Sequence, residues 1–201
     1  MDIDIVDFST LTPVQLGRCA HVLRSALICL PSGYKGAGEA EAEIEARRND
    51  PEWIGLAALR DEALIGWTGA VRSYSHGWEL HPLVVDPDNQ RKGVGSKLLS
   101  FLESRARADG VITLYAACDD DYGGTNLFGR ELLPNVLEHA SSIQPTGLGH
   151  AFTFYRSHGY RIVGVLPDVN GRGRPDILMA KRLTAWRAWN HGDGDPNLAR
   201  G

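Results

Sequence analysis

The sequence predicts a mixed α/β fold whose sheet is mostly antiparallel but carries one parallel pair of strands, flanked by helices. Two observations carry that prediction. The β-like runs "WIGLAALR" (53–60), "EALIGWTGAVRSY" (62–74) and "WELHPLVVDP" (78–87) follow one another with only short polar turns between them, as in a meander. The third run and the later run "VITLYAA" (111–117) are then divided by an apolar-periodic helix. A strand, crossover helix and strand return the chain in the same direction, which leaves the two strands parallel.

The elements follow in order. "DIDIVDF" (2–8) alternates polar and apolar residues as a half-buried strand does. From Leu11 to Leu27 the pattern is helical: Thr12 is the N-cap, Pro13 takes the first helical position, Gln15 completes a capping box and Leu11 closes on Leu16 as a staple. Its apolar face comprises Leu16, Ala20, Leu23 and Leu27. The turn-rich "LPSGYKGAG", expected to be a mobile loop, precedes a strongly polar surface helix over "AGEAEAEIEARRND" (37–50). Asp61 splits the first two runs of the meander, and Asp86 with Pro87 closes the third. The next helix places Val94, Leu98, Phe101 and Leu102 on one face and ends near "ADG". Between Cys118 and His150 the pattern loosens over a length that implies structure or function of its own, and a short helix over Glu131–Ala140 is expected to cover a site. "AFTFYRSHGY" predicts a compact amphipathic helix ending at Gly159, followed by "RIVGVLP" and "DILMAKRL" as a closing strand pair.

Length and composition bound the function. The 201 residues suit one domain over 1–183 with an insert at about 118–150, and the tail from Thr184 is expected to be poorly ordered at its end. Apolar residues make up 43% of the chain, and no run approaches the ~18 consecutive apolar residues of a membrane span. The acidic start lacks a secretory pattern, so the cytoplasm is the expected compartment. With 25 acidic against 21 basic residues the net charge is −4, which excludes nucleic-acid binding as a main role and permits a cationic small partner. Cys19, Cys29 and Cys118 are far apart with no CxxC, so they are read as buried thiols, and no metal site is expected.

The stretch "NQRKGVGSKLLSFLE" (89–103) carries the chemistry. A strand that ends, a short glycine turn and a helix start leave several backbone N–H groups aimed at one spot, and the helix dipole adds positive potential there. Gly93 and Gly95 admit an anion close to the backbone, while Arg91 and Lys92 supply charge. The spacing alone suits a solvated basic turn equally well. Neither GxxxxGK[ST] nor GxGxxG is present.

In its context, Gln90-Arg91-Lys92-Gly93-Val94-Gly95 resembles the Q/R-x-x-G-x-G/A signature of the GNAT acyl-CoA-dependent N-acetyltransferases, and "FYRSHGY" resembles that family's LY-x-x-x-GF segment. The order of elements from Ile3 to Leu183 agrees with the fold. The resemblance implies the GNAT fold and acetyl-CoA as co-substrate, its pyrophosphate on the N–H groups from Arg91 to Ser96. It runs the pantetheine along the backbone of Leu83, Val84 and Val85, where the fourth and fifth strands splay apart. One departure stands out: the family often has Asn seven residues before the helix tyrosine, and this chain has Leu148. Within the superfamily, "WELHPLVVDP", "DDDYGGT" and "GRPDILMAKR" are similar to aminoglycoside 6'-N-acetyltransferases, which implies a polycationic aminoglycoside substrate, antibiotic resistance and, by family habit, a homodimer. The alternatives are acetylation of another small amine, a polyamine or a peptide N-terminus, or a non-catalytic acyl-CoA sensor.

Acetyl transfer from a thioester to an amine needs a neutral amine, stabilisation of the carbonyl oxygen and a proton for the departing thiolate. The resemblance puts Tyr155 beside the cofactor sulfur as the acid; a helix tyrosine is otherwise a packing residue. Carboxylates suit a polycation. Glu79 and His81 alternate onto one strand face, while Asp119, Asp120 and Asp121 lie just beyond the fifth strand. Asp119 matches a family acidic position and is expected to be substrate anchor and base, with Glu79 the second candidate; an Asp triplet also suits a solvated turn. Asp176 is a further amine anchor, and Asp168 and Asn170 turn the last hairpin. Trp78, Tyr74 and Tyr122 suit either sugar stacking or packing.

Overall fold

The computed structural model of the protein describes residues 2–31 and 33–186. Most of the tail, 187–201, and with it the expected disorder, lies outside the described residues.

Among the described residues seven strands form one sheet: β1 (Asp4–Asp7), β2 (Trp53–Arg60), β3 (Ala63–Tyr74), β4 (Gly77–Val85), β5 (Thr113–Asp119), β6 (Arg161–Leu166) and β7 (Asp176–Arg182), in the order β1-β2-β3-β4-β5-β7-β6. Every neighbouring pair is antiparallel except β4 and β5. The helices are α1 (Pro13–Leu27), α2 (Glu39–Asn49), α3 (Val94–Ala108), α4 (Val136–Ser141) and α5 (Ala151–Ser157).

Local chemistry accounts for the element boundaries. The capping box at α1 forms as expected: the Gln15 N–H donates to Thr12 Oγ1 at 3.3 Å and the Thr12 N–H to Gln15 Oε1 at 2.9 Å. The β2–β3 turn has Asp61 and Glu62 both at positive φ (48° and 66°), the handedness that matches the twist of the two strands it joins. Leu11 and Leu16 meet in one core cluster with Cys19, Ala20, Val22 and Leu23 of α1.

The sheet separates two large cores. On one face α1 and α2 cover Phe8, Trp53 and Trp67, and the Trp67 indole N–H donates to the Cys19 carbonyl at 3.1 Å, stitching β3 to α1. On the other face Leu99, Leu102 and Ala106 of α3 meet Phe152 and Tyr155 of α5, together with Trp78, Leu80, Leu114 and Ala116 of β4 and β5. Glu103 is buried beneath α3, where its carboxylate takes Lys181 of β7 at 2.7 Å and Arg107 at 3.2 Å.

Three expectations are corrected. Phe101 is 47% exposed, because the buried stripe of α3 runs Val94, Leu98, Leu99, Leu102, Ala106. Cys29 is exposed, unlike Cys19 and Cys118. The helix expected at Glu131–Ala140 begins only at Val136 and packs against the outer strand β6. Pro134 accounts for the late start, since the residue before a proline is pushed out of the helical region. From the rest of that insert Leu127, Leu132 and Ile143 join the α3/α5 cluster.

Trp53 fixes the path of β4. Its indole lies over the paired glycines Gly55 and Gly69, where an added Cβ would stand 2.1 and 2.2 Å from the ring, and its N–H donates to the His81 carbonyl at 3.0 Å. Gly69→Ala therefore displaces the ring, and it is expected to destabilise the protein by roughly 1–3 kcal/mol; urea unfolding measures this, and a change within ±0.5 kcal/mol would show that the ring is free to move.

Candidate active site

The pairing of β4 with β5 is brief. Gly77, Trp78 and Glu79 face Thr113, Leu114 and Tyr115, and no pairing follows between the remainder of β4 and the remainder of β5. Pro82 lies in the unpaired half of β4 and has no N–H to offer a neighbour. Its carbonyl is held instead from the other side by Thr68 Oγ1 at 2.9 Å.

Beside this gap is a cleft of about 640 Å³ between β4, the start of α3 and α5. Its turn is tightly built. Asp86, 4% exposed, accepts the Asp88 N–H at 3.0 Å and is bridged by Arg18 of α1, and Gln90 Nε2 donates to the Val85 carbonyl at 3.0 Å. Arg91 (φ 58°) and Gly93 (φ 84°) are left-handed, which lifts the chain over the helix end. Within the described residues the N–H groups from Arg91 to Ser96 receive no intramolecular acceptor, and the next N–H, of Lys97, closes on the Gly93 carbonyl at 3.0 Å. Free donors at the positive end of a fifteen-residue helix fit a diphosphate.

Of the residues expected to bind cofactor, Leu83, Val85, Gln90, Arg91, Gly93, Gly95, Ser96 and Tyr155 line the cleft. Val84 and Val94 turn their side chains into the core at 3% and 1% exposure, which leaves them a backbone part alone. Lys92 points away: its ammonium is tied to the Asp88 carbonyl at 2.6 Å. The cleft also contains residues that sequence reasoning missed, chiefly Phe154, Thr153 and His158. The His158 imidazole bridges α5 to α3, with Nδ1 2.8 Å from the Phe154 carbonyl and Nε2 2.9 Å from Ser96 Oγ. A carbonyl only accepts, so Nδ1 carries the proton there, and a neutral ring accepts the Ser96 hydroxyl at Nε2. Leu148, at the position where the family has Asn, is 71% exposed and offers no polar side chain.

Tyr155 is 8% exposed, and its ring packs on Phe154 and Tyr160 at 5.4 Å. Burial, with the nearby Cys118 thiol, pushes its phenol well above the usual range, so it keeps its proton through neutral pH. Burial likewise pushes the Cys118 thiol up, which removes it as a nucleophile.

The opposite face of the gap is acidic. Glu79 and Tyr115 alternate away from the α3/α5 core, and the Tyr115 hydroxyl lies 3.4 Å from Glu79 Oε2. His81 stands 3.5 Å from Glu43 of α2, whose carboxylate also takes Arg47 at 2.7 Å. Burial first, and then Arg47, holds the His81 pKa below its ordinary value, so the ring is neutral at neutral pH. Asp119, the last residue of β5 rather than a loop residue, is exposed and accepts from Asn170 Nδ2 at 2.8 Å. Asn170 thus does more than turn the hairpin, whereas Asp168 does turn it, accepting the Gly173 N–H at 2.6 Å. Asp176 lies opposite Asp119 on β7.

Asp120 and Asp121, unlike Asp119, are buried. Asp120 is 0% exposed and organises the loop, receiving the N–H groups of Gly124 (2.7 Å) and Thr125 (3.0 Å) and the Thr125 hydroxyl (2.5 Å). Asp121 is buried at 3%. Trp78 is core, Tyr74 is exposed at the end of β3, and Tyr122 stacks on His150 while donating to the Gly149 carbonyl at 3.0 Å. His150, also missed, caps α5 through Nδ1 and holds the Asp119 carbonyl through Nε2 at 3.0 Å.

The family model described as "Acetyltransferase (GNAT) family" matches residues 21–140, and the chain belongs to that family. Among solved structures, an aminoglycoside 6'-N-acetyltransferase complexed with coenzyme A is 37% identical, with a TM-score of 0.82 over 92% of this chain and 99% of that one. The aminoglycoside 6'-N-acetyltransferase from Enterococcus faecium is 36% identical with a TM-score of 0.80, again over 92% and 99%. An aminoglycoside 6'-acetyltransferase of type Ii is 33% identical with a TM-score of 0.68 over the same shares. No curated protein matched the sequence.

The two basic side chains of the turn have different surroundings, and they separate in a binding experiment. Arg91→Ala is expected to weaken coenzyme A by about 10-fold, the worth of one charge-assisted contact, and Lys92→Ala to leave affinity within about 2-fold; titration calorimetry measures both.

Proposed function

We propose that this chain uses acetyl-CoA to acetylate the 6'-amine of aminoglycosides by direct attack in a ternary complex. The observation that carries this reading is the position of the carboxylates. Glu79, Asp119 and Asp176 come from three strands onto one face of the β4/β5 gap, while a cleft fit for a diphosphate lies on the other. A polycation and a polyanion are thus drawn to opposite sides of one opening. Similarity to aminoglycoside 6'-N-acetyltransferases over nearly the whole chain supports the substrate class.

Acetyl-CoA, when bound, supplies the activated acetyl group and a thiolate leaving group. The chain's own residues do the rest. The N–H groups from Arg91 to Ser96 hold phosphate oxygens, with Arg91 adding charge. From Leu83 to Val85 β4 is paired with β3 but not with β5, and this open edge offers an extended ligand the hydrogen bonds of a missing strand. Tyr155, still protonated at neutral pH, gives its proton to the departing sulfur. Asp119 and Glu79 hold ammonium groups and fix which amine faces the gap.

Purified protein given acetyl-CoA is expected to release free coenzyme A with an aminoglycoside bearing a 6'-amine and not with its 6'-hydroxyl counterpart. Release only with polyamines or peptide N-termini in an amine panel would refute the substrate assignment. Binding of acetyl-CoA in calorimetry without turnover of any amine would instead identify a sensor. Tyr155→Phe is expected to lower kcat by about 10²-fold, the range of one proton donor, with a much smaller change in coenzyme A affinity. An unchanged kcat in single-turnover measurements would remove Tyr155 as the acid.

A further inference from the structure

Resting on the reaction just described, we propose that Asp176, rather than Asp119 or Glu79, takes the proton from the incoming ammonium. The β5/β7 ladder sets Asp176 directly opposite Asp119. Residues opposite each other in an antiparallel pair share a face, with Cβ atoms about 4.5–5.5 Å apart. Two carboxylates so placed do not both ionise easily, and their surroundings decide which one stays charged.

Those surroundings differ sharply. Asp119 is exposed to water and accepts a hydrogen bond from Asn170. Asp176 is 8% exposed, and its Oδ1 has no hydrogen-bond partner. The groups that face it are Asp119 on β5, Glu79 on β4, and the backbone N–H groups of Ile177 and Cys118. Its register neighbour on β6 is the apolar Leu166. Burial, Asp119 and Glu79 together push Asp176 up to about 7, against the partial relief of the two N–H groups. A base near the working pH is the efficient one, because it is ionised often enough to act and basic enough to hold the proton.

The other carboxylates around the gap are engaged. Glu79 meets the Tyr115 hydroxyl, Glu43 is shared between Arg47 and His81, and Asp120 is filled by three hydrogen bonds within its loop. Protons balance through Asp176 and Tyr155. One proton leaves the ammonium nitrogen for the Asp176 carboxylate and frees the lone pair. That nitrogen forms the C–N bond as the C–S bond breaks, and the sulfur takes the Tyr155 proton. The second proton shed by the nitrogen restores Tyr155, and Asp176 returns its own to water.

Wild type, Asp176→Asn and Asp119→Asn are compared by two readouts. In the pH profile of kcat/KM for a 6'-amino aminoglycoside, the wild type is expected to lose activity below about pH 7. Asp176→Asn is expected to lose that limb and about 10²-fold in rate. Asp119→Asn is expected to raise KM and to keep the limb but move it to lower pH, because one of the charges that push Asp176 up is gone. The second readout is urea unfolding of the substrate-free protein against pH. A carboxyl that binds its proton more tightly when folded favours the folded state at low pH. Stability contributed by Asp176 is therefore full below the ordinary 3.8, falls as pH rises, and is gone above about 7. Asp176→Asn should flatten that window. An active Asp176→Asn enzyme with the wild-type limb, or an unaltered stability slope, would overturn the assignment. A wild type that releases no coenzyme A with any amine would overturn the reaction itself, and is recognised separately.

Discussion

The site depends on one interruption: β4 and β5 are parallel neighbours that pair over three residues and then part. Each strand is secured on its outer side, β4 by β3 and β5 along its whole length by β7. The interruption is therefore a property of a rigid sheet. The cost lies in the inner edges, where strand backbone is left without a strand. Extended backbone in that state is a template for an extended ligand carrying amides, and this makes the gap a binding element. Trp53 and Thr68 hold the diverging half of β4 from behind through the carbonyls of His81 and Pro82, so its path does not rest on β5.

Electrostatics then divide the gap. On the α3/α5 face the open N–H groups of a helix end and the Arg91 guanidinium make a positive pole beside apolar walls. On the α2 face the side chains that alternate outward include the carboxylates Glu79 and Asp119. The alternation of a strand enforces this separation, since Glu79, Tyr115 and Asp119 cannot share a face with Leu80, Ala116 and Cys118. The same rule explains the unequal fates of the Asp triplet. Asp119 ends the strand on the open face. Asp120 turns inward and becomes the centre of the loop that carries Gly124 and Thr125.

The insert and α5 are joined to the site by histidines. His150 ties the start of α5 to the carbonyl of Asp119, and His158 ties its end to Ser96 at the start of α3. Tyr155 sits between these two anchors, so the phenol is positioned by contacts to both β5 and α3. Asp176 lowers stability at neutral pH, because a buried carboxyl opposite another carboxyl disfavours the folded state once both ionise.

Features governed by near neighbours in the chain were legible in the sequence: the capping box of α1, the meander, the crossover that makes β4 and β5 parallel, and the glycine turn before α3. Each depends on hydrogen bonds or periodicity within a few residues, and such interactions are written in the order of side chains. What the tertiary structure alone decided is which of the candidate groups meet. Ser96 and His158 are 62 positions apart, and Asp119 meets Asp176 only through the β5/β7 register. The exposure of Cys29 and Phe101, the burial of Asp120 and the raised pKa of Asp176 follow from the atoms that distant strands and helices bring around them. Burial and electrostatic potential are sums over such neighbours, and no local pattern contains them.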